Sequence, residues 1–493
     1  MEDALLYTYF LSLCVLFAFG LHGLVMIYYY HKTQKVVHSE PNIGDQLPVV
    51  TVQLPMYNEM YVVERLIEAV CKIDYPKELL EIQVLDDSTD ETVHVTKGIV
   101  EAKLAEGFDI KYIHRVDRAG YKAGALKAGL EAARGEVVAI FDADFVPNED
   151  FLRKTVPYFV DPKIGMVQTR WEHLNEEYSF LTRAQALALD GHFVIEQQVR
   201  HKAGFFINFN GTAGMWRKET ILDAGNWHAD TLAEDLDLSY RAQLRGWKFV
   251  FLNDVTSPAE LPADINALKT QQFRWTKGAV ETAKKLLPSV WKSALPLHMK
   301  LESTVHLTSN IVFPFIMLVA FLNVPIVILK KSAESNPTQL VGGLSFSDFY
   351  SIMSVFVLAS ISTFLFYMYA QRAIHLDWRR RLLLFPVFMA GSMGLAVNNT
   401  RAVFEAIIGK KSEFKRTPKY KIEAAGDDWK KKQYVQKRIG WIVMIELALA
   451  AYFVVGIFLS INNLEIAAIP FQLMFLFGFG TVGVLSLRHA LGR

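Results

Sequence analysis

Val137-Val138-Ala139-Ile140-Phe141-Asp142-Ala143-Asp144-Phe145 runs a short apolar segment of strand type straight into two carboxylates one residue apart. Side chains alternate faces along an extended chain, so Asp142 and Asp144 point the same way and Ala143 points back. Two converging carboxylates repel unless a cation sits between them. Asp-x-Asp therefore suits a hard divalent ion that in turn holds a diphosphate, although the pair taken alone also fits a surface loop.

The residues around this stretch read as a soluble α/β unit spanning 48–280. Val49 to Leu54, Leu80 to Leu85 and Ile110 to His114 have strand character, and Tyr61 to Ile73 and Gly124 to Ala133 have helical spacing. Such alternation predicts a largely parallel sheet, with ligands outside the carboxyl ends of its strands. The acids fall at those ends.

Outside this unit the composition changes. Hydrophobic residues make up 52% of the 493 residues and aromatics 13%, which leans towards a membrane protein. The net charge of +1 argues against a nucleic-acid partner, and two cysteines, Cys14 and Cys71, supply neither a disulfide framework nor a thiolate metal site. A first membrane helix is expected within 1–35. It is followed by His31, Lys32 and Lys35, which place the amino terminus outside and the α/β unit in the cytoplasm. After that unit come an expected interfacial helix at 284–300, two spans within 304–370 with a polar loop at 332–348, and two more within 439–493. Segment 382–408 is apolar but contains Asn398, Asn399, Arg401 and Glu405 and is basic on both flanks. It is therefore expected to be interfacial or re-entrant, giving five spans in all. Residues 409–438 form a basic cytoplasmic loop.

Further candidate residues lie along the same edge of the α/β unit. Tyr57 and Glu59 after the first strand, and Asp87 after the second, are placed to meet a nucleotide base and ribose, although a turn and a helix cap explain them equally well. Lys122, between Gly120 and Gly124 at a helix start, suits a phosphate. The turn Asn210-Gly211-Thr212 permits close approach of backbone to an acceptor. Glu234 and Asp235 open a helix, and a carboxylate there can take a hydroxyl proton. Gln271, Arg274 and Trp275 share one helix face, with an indole suited to stacking on a sugar and a guanidinium suited to a diphosphate.

Asp87, Asp142-x-Asp144, Ala233-Glu234-Asp235 and Gln271-x-x-Arg274-Trp275 together resemble, in order and spacing, the processive membrane-embedded family 2 glycosyltransferases of the cellulose synthase superfamily. Phe414-Lys415-Arg416-Thr417-Pro418-Lys419 is similar to the gating loop of bacterial cellulose synthase, with Arg416 in place of the usual valine. Val84 to Asp90, Gly120 to Leu126 and Phe209 to Gly214 most resemble the cellulose synthase-like A and C proteins, which make mannan or glucomannan and a glucan backbone.

The resemblance implies a GT-A (Rossmann-like) cytoplasmic domain inserted into an α-helical transmembrane bundle in the plasma or inner membrane. Asp142 and Asp144 would hold Mg2+ or Mn2+. The donor, GDP-mannose or UDP-glucose, would contact Tyr57, Glu59, Asp87, Lys122, Asp142, Arg274, Thr417 and Lys419. Asp235, beside Glu234, would act as base, with Asn210, Gly211, Thr212, Gln271 and Trp275 on the acceptor. The product is expected to be a growing polysaccharide exported among membrane lipids through a channel between the spans. A non-processive lipid glycosyltransferase, or a transporter with a degenerate domain, remain alternatives.

Overall fold

A computed structural model describes residues 2–36, 41, 47–334, 340–341, 344–345, 351–352, 354–424, 426–435 and 439–491. A seven-stranded sheet of order β3-β2-β1-β4-β6-β5-β7 is the frame of the α/β unit. Its strands are β1 (Val50–Met56), β2 (Leu80–Asp86), β3 (Asp109–His114), β4 (Val137–Ile140), β5 (Ile164–His173), β6 (Gly214–Arg217) and β7 (Lys248–Ala259). Helices α1 (Glu2–Thr33), α2 (Val63–Cys71), α3 (Thr92–Ala105) and α4 (Tyr121–Ala132) come early in the chain. The alternation of β4 splits the core between the two faces. Val137, Ala139 and Phe141 join the cluster around Val52 and Leu66, whereas Val138 and Ile140 pack with Leu126 and Trp216.

The sheet is parallel except at β6, which runs antiparallel to both β4 and β5. That exception matters for the site. Because β6 starts where β4 ends, the amide of Ala213 donates to Ile140 O (2.9 Å) and the 210–213 turn lies beside Asp142.

Later helices are α5 (Phe151–Thr155), α6 (Phe180–Asp190), α7 (Gln198–Ala203), α8 (Lys218–Asp223), α9 (Glu234–Leu244) and α10 (Ile265–Lys292). A π-helical segment, Gly191–Gln197, joins α6 to α7. Asp264 caps α10 by accepting from the amides of Asn266 and Ala267. The interfacial helix expected at 284–300 is not one element. Residues 284–292 finish α10 and α11 starts at Leu297, because Pro296 disfavours helical backbone at Leu295.

α11 (Leu297–Thr308) runs through one 3-10 turn into α12 (Val312–Glu334). Then follow α13 (Val357–Ile374), α14 (Trp378–Arg381), α15 (Phe385–Gly394), α16 (Ala396–Ile407), α17 (Trp441–Asn462) and α18 (Ile469–Ala490). Among the described residues, four helical stretches are long and apolar enough to cross a membrane, namely Asp3–Thr33, Leu297–Lys330, Trp441–Asn462 and Ile466–Ala490. The expected third span is not among them. Much of 346–353 lies outside the described residues, as does most of the expected polar loop, and α13 ends in the polar pair Gln371 and Arg372. α13 nevertheless packs along α1, where Gly20 and Gly23 admit Ala359 and Ser362, and Ser362 Oγ donates to Gly20 O (2.6 Å).

The segment Trp378–Ile407 is broken by 44° at Leu395 and would make a fifth span only if both halves were counted as one. Both of its ends meet the α/β unit. Arg381 pairs with Glu176, and Lys284 of α10 donates to the carbonyls of Ala406 (2.9 Å) and Ile407 (2.7 Å).

Candidate active site

A cavity of ≈180 Å³ opens at the carboxyl ends of β1, β2 and β4 and is closed on the far side by α10 and residues 414–419. Asp142 begins its floor. Its amide donates to Thr212 Oγ1 (2.8 Å), and its carboxylate accepts from Lys122 Nζ (2.6 Å) while staying about one-third exposed. Lys122 reaches it from the first turn of α4 and also donates to Gly211 O (2.9 Å). Gly211 has φ +83°, and a Cβ there would lie 2.9 Å from Asp235 Oδ2 and 3.4 Å from Lys122 Nζ. Asp142, Lys122, Gly211 and Asp235 thus form one contiguous wall.

Asp235 sits in the first turn of α9, where its Oδ1 accepts from the amide of Leu236 (2.8 Å). Burial, reinforced by the neighbouring Glu234 charge and opposed by Lys122, pushes its carboxyl up to about 7. Burial also raises Glu234. Lys122 is desolvated too, but Asp142, Glu234 and Asp235 outweigh this and hold its ammonium more firmly charged.

Gln271, Arg274 and Trp275 line the opposite side from α10. Trp275 is 37% exposed, leaving an indole free for stacking. Arg274 donates to Thr417 Oγ1 (3.0 Å) and lies 4.4 Å from the centre of the Phe414 ring. The loop is tied down by three charged contacts. Lys419 reaches Asp144 (2.6 Å) and Glu260 O (2.7 Å), Arg416 pairs with Glu59 (2.7 Å), and Glu423 pairs with Arg65 (2.6 Å). Asp142 and Asp144 lie in the turn after β4, where the amide of Phe145 donates to Asp142 O (3.0 Å), and not on the strand; as hard oxygen donors they fit a divalent cation, and each now carries an ammonium partner.

The expected site residues thus converge, with adjustments. Thr212 is buried, does not line the cavity and holds the backbone of Asp142, because the antiparallel entry into β6 turns it inward. It is therefore removed from the expected acceptor contacts. Asn210 and Gly211 do line the cavity, and the Asn210 side chain is engaged by Gln197 (2.7 Å) and His192 (2.9 Å). Glu59 lines it while bound to Arg416, and burial raises its carboxyl to about 7. Asp87 also lines it while held in a two-toothed pair by Arg115 (2.8 and 2.6 Å).

Sequence reasoning missed Arg115, Arg118, Glu260, Trp171 and His173. The first two follow β3 and the last two end β5, so their position after strand ends was the available signal. Away from the cavity, His228, Asp230 and Asp237 cluster closely enough for a metal. Lys285 Nζ already occupies that centre, at 3.1, 2.8 and 2.8 Å from them.

Residues 48–278 match the family model described as glycosyltransferase like family 2. They form a family 2 glycosyltransferase domain. The chain is 44% identical over 263 residues to glucomannan 4-beta-mannosyltransferase 2 of Arabidopsis thaliana, covering 52% of this chain and 49% of that protein. It is 46% identical over 251 residues to glucomannan 4-beta-mannosyltransferase 1 of Cyamopsis tetragonoloba, covering 49% and 47%. The chain spans about half the length of the curated relatives it matches. A mannosyltransferase from Pyrobaculum calidifontis, solved with GDP-Man and Mn2+, shares the fold with a TM-score of 0.56 and 18% identity, over 83% of this chain and 100% of its own. The glycosyltransferase domain therefore has a GT-A-like mixed sheet, with several long apolar helices beside it.

Proposed function

We propose that the protein is an inverting β-1,4-mannosyltransferase that takes mannose from GDP-mannose and extends a mannan or glucomannan chain. The observation that carries this reading is the wall formed by Asp142, Lys122, Gly211 and Asp235, which brings diphosphate-binding groups against a partly buried carboxylate whose pKa is raised to about 7. The glucomannan 4-beta-mannosyltransferase relatives support the mannosyl group and linkage, and the GDP-Man held by the structural neighbour supports the nucleotide.

In this mechanism Gln271 and Trp275 hold the terminal acceptor sugar, and Asp235 removes the proton of its attacking hydroxyl. The hydroxyl oxygen bonds to the donor's anomeric carbon from the face opposite the diphosphate. The carbon–oxygen bond to the diphosphate breaks, and GDP departs with its electron pair. Lys122 and Arg274 stabilise the charge that develops there. Asp142 and Asp144 would hold Mg2+ or Mn2+, which supplies further charge neutralisation to the diphosphate when bound.

In the same reading the glycosyltransferase domain faces the cytoplasm, 382–408 lies in the interface and 409–438 is a gating loop closing over the donor. The reading includes processive growth and export between the membrane helices, supported by α10, which joins the site to α17 and α18 through Lys269, Glu446 and Ser486. Purified protein incubated with GDP-mannose, UDP-glucose and other nucleotide sugars tests the donor, the linkage and the processivity. Release of GDP from GDP-mannose with a long β-1,4-linked product supports it, turnover of another donor overturns the donor assignment, and single-sugar products overturn processivity.

A further inference from the structure

The glycosyltransferase reading leaves open which atoms distinguish one nucleotide from another, and the sheet order narrows the search. Asp142 lies at the end of the central strand β4. On one side, β6, β5 and β7 lead to Asp235 and α10, where the sugar must be. The nucleoside on the other arm of the diphosphate must then cross the ends of β1, β2 and β3. Strand spacing is about 4.8 Å, so the far edge of that arm is at nucleobase distance rather than phosphate distance from Asp142.

The side chain standing there is Arg118, in the loop between β3 and α4. Its guanidinium carbon lies 3.4 Å from the centre of the Tyr57 ring and 5.1 Å from that of Tyr121, and it lines the cavity. Its Nε is buried with no hydrogen-bond partner, and among the described residues no carboxylate forms an ion pair with it. The neighbouring Arg115, by contrast, is fully committed to Asp87 and nearby carbonyls. Stacking on Tyr57 fixes the plane of Arg118 and leaves its N–H edge as a donor set lacking an acceptor.

We propose that Arg118 is the specificity residue for the donor nucleobase and that it reads a guanine-type edge, donating to O6 and N7 together. Those atoms are two adjacent acceptors that match the guanidinium fork. Adenine replaces O6 with an amino donor, and uracil has no equivalent pair. This inference rests on the proposed use of a nucleotide sugar and adds the group that selects its base.

The test measures equilibrium binding of GDP, IDP, ADP and UDP, with Mn2+, to the full-length detergent-solubilised protein and to its Arg118→Ala and Arg118→Lys variants. IDP keeps O6 and N7 but lacks the guanine 2-amino group. Wild type is expected to favour GDP and IDP over ADP and UDP. Both variants are expected to weaken GDP and IDP by about tenfold, in equal proportion, while changing UDP less than about twofold. Retained UDP binding shows in the same experiment that the variants fold. Equal weakening of GDP and UDP, or no change in either, overturns the proposal. Tighter binding of UDP than of GDP by wild type also overturns it while leaving sugar transfer intact. Failure of wild type to bind any of the four defeats the glycosyltransferase reading itself.

Discussion

Asp235 is a carboxylate whose surroundings do the work of placing its titration near neutrality. Burial comes first and the adjoining Glu234 charge second, and together they raise it to about 7, so the proton-accepting form predominates only above that pH. The transfer rate at limiting donor is therefore expected to rise through about pH 7 and to lack that limb when nucleotide binding alone is followed. Asp235→Asn is expected to keep GDP binding and lower transfer at least about a thousandfold, and normal turnover in that variant would remove Asp235 from the mechanism. Gly211 is constrained twice, by φ +83° and by the 2.9 Å approach of a Cβ to Asp235. Gly211→Ala is expected to abolish transfer and lower the melting temperature by a few degrees, consistent with about 1 kcal/mol of backbone strain.

The loop carrying Phe414, Arg416, Thr417 and Lys419 is held at the cavity by charges on residues it is expected to serve. Lys419 is bonded to Asp144, so its ammonium and a divalent cation compete for the same carboxylate. Lys419→Ala is expected to tighten Mn2+ binding several-fold in nucleotide-free protein, read from the free-ion paramagnetic resonance signal. An unchanged titration would show that Lys419 leaves Asp144 without cost. α10 was legible as a face bearing Gln271, Arg274 and Trp275, because that pattern is local to one helix turn. Its extension to Lys292, in place of a separate interfacial helix, was not. The helix end depends on how Pro296 and its neighbours meet α11, which helical periodicity does not encode.

Across the whole molecule, the glycosyltransferase domain is fastened to the membrane helices by buried ion pairs. Lys269 of α10 meets Glu446 of α17 at 2.8 Å, with both side chains buried. Lys269→Met leaves Glu446 without its partner and is expected to cost about 3–5 kcal/mol, whereas Lys269→Met with Glu446→Met recovers most of the melting temperature. The sequence by itself determined the α/β class, the β1 to β4 order of elements and many of the polar residues that line the cavity, because strand-end acids and short helical motifs are local patterns. It also determined that long apolar helices accompany the domain. Only the tertiary structure decided that β6 runs antiparallel, which buries Thr212 and sets Gly211 against Asp235. It alone decided the contacts of Arg416 with Glu59, Lys419 with Asp144 and Arg118 with Tyr57. In the first two of those contacts the partners lie hundreds of positions apart, and in all three the pairing is set by how the sheet, α10 and the loop close around one cavity. Nothing in the spacing of residues along the chain carries that information.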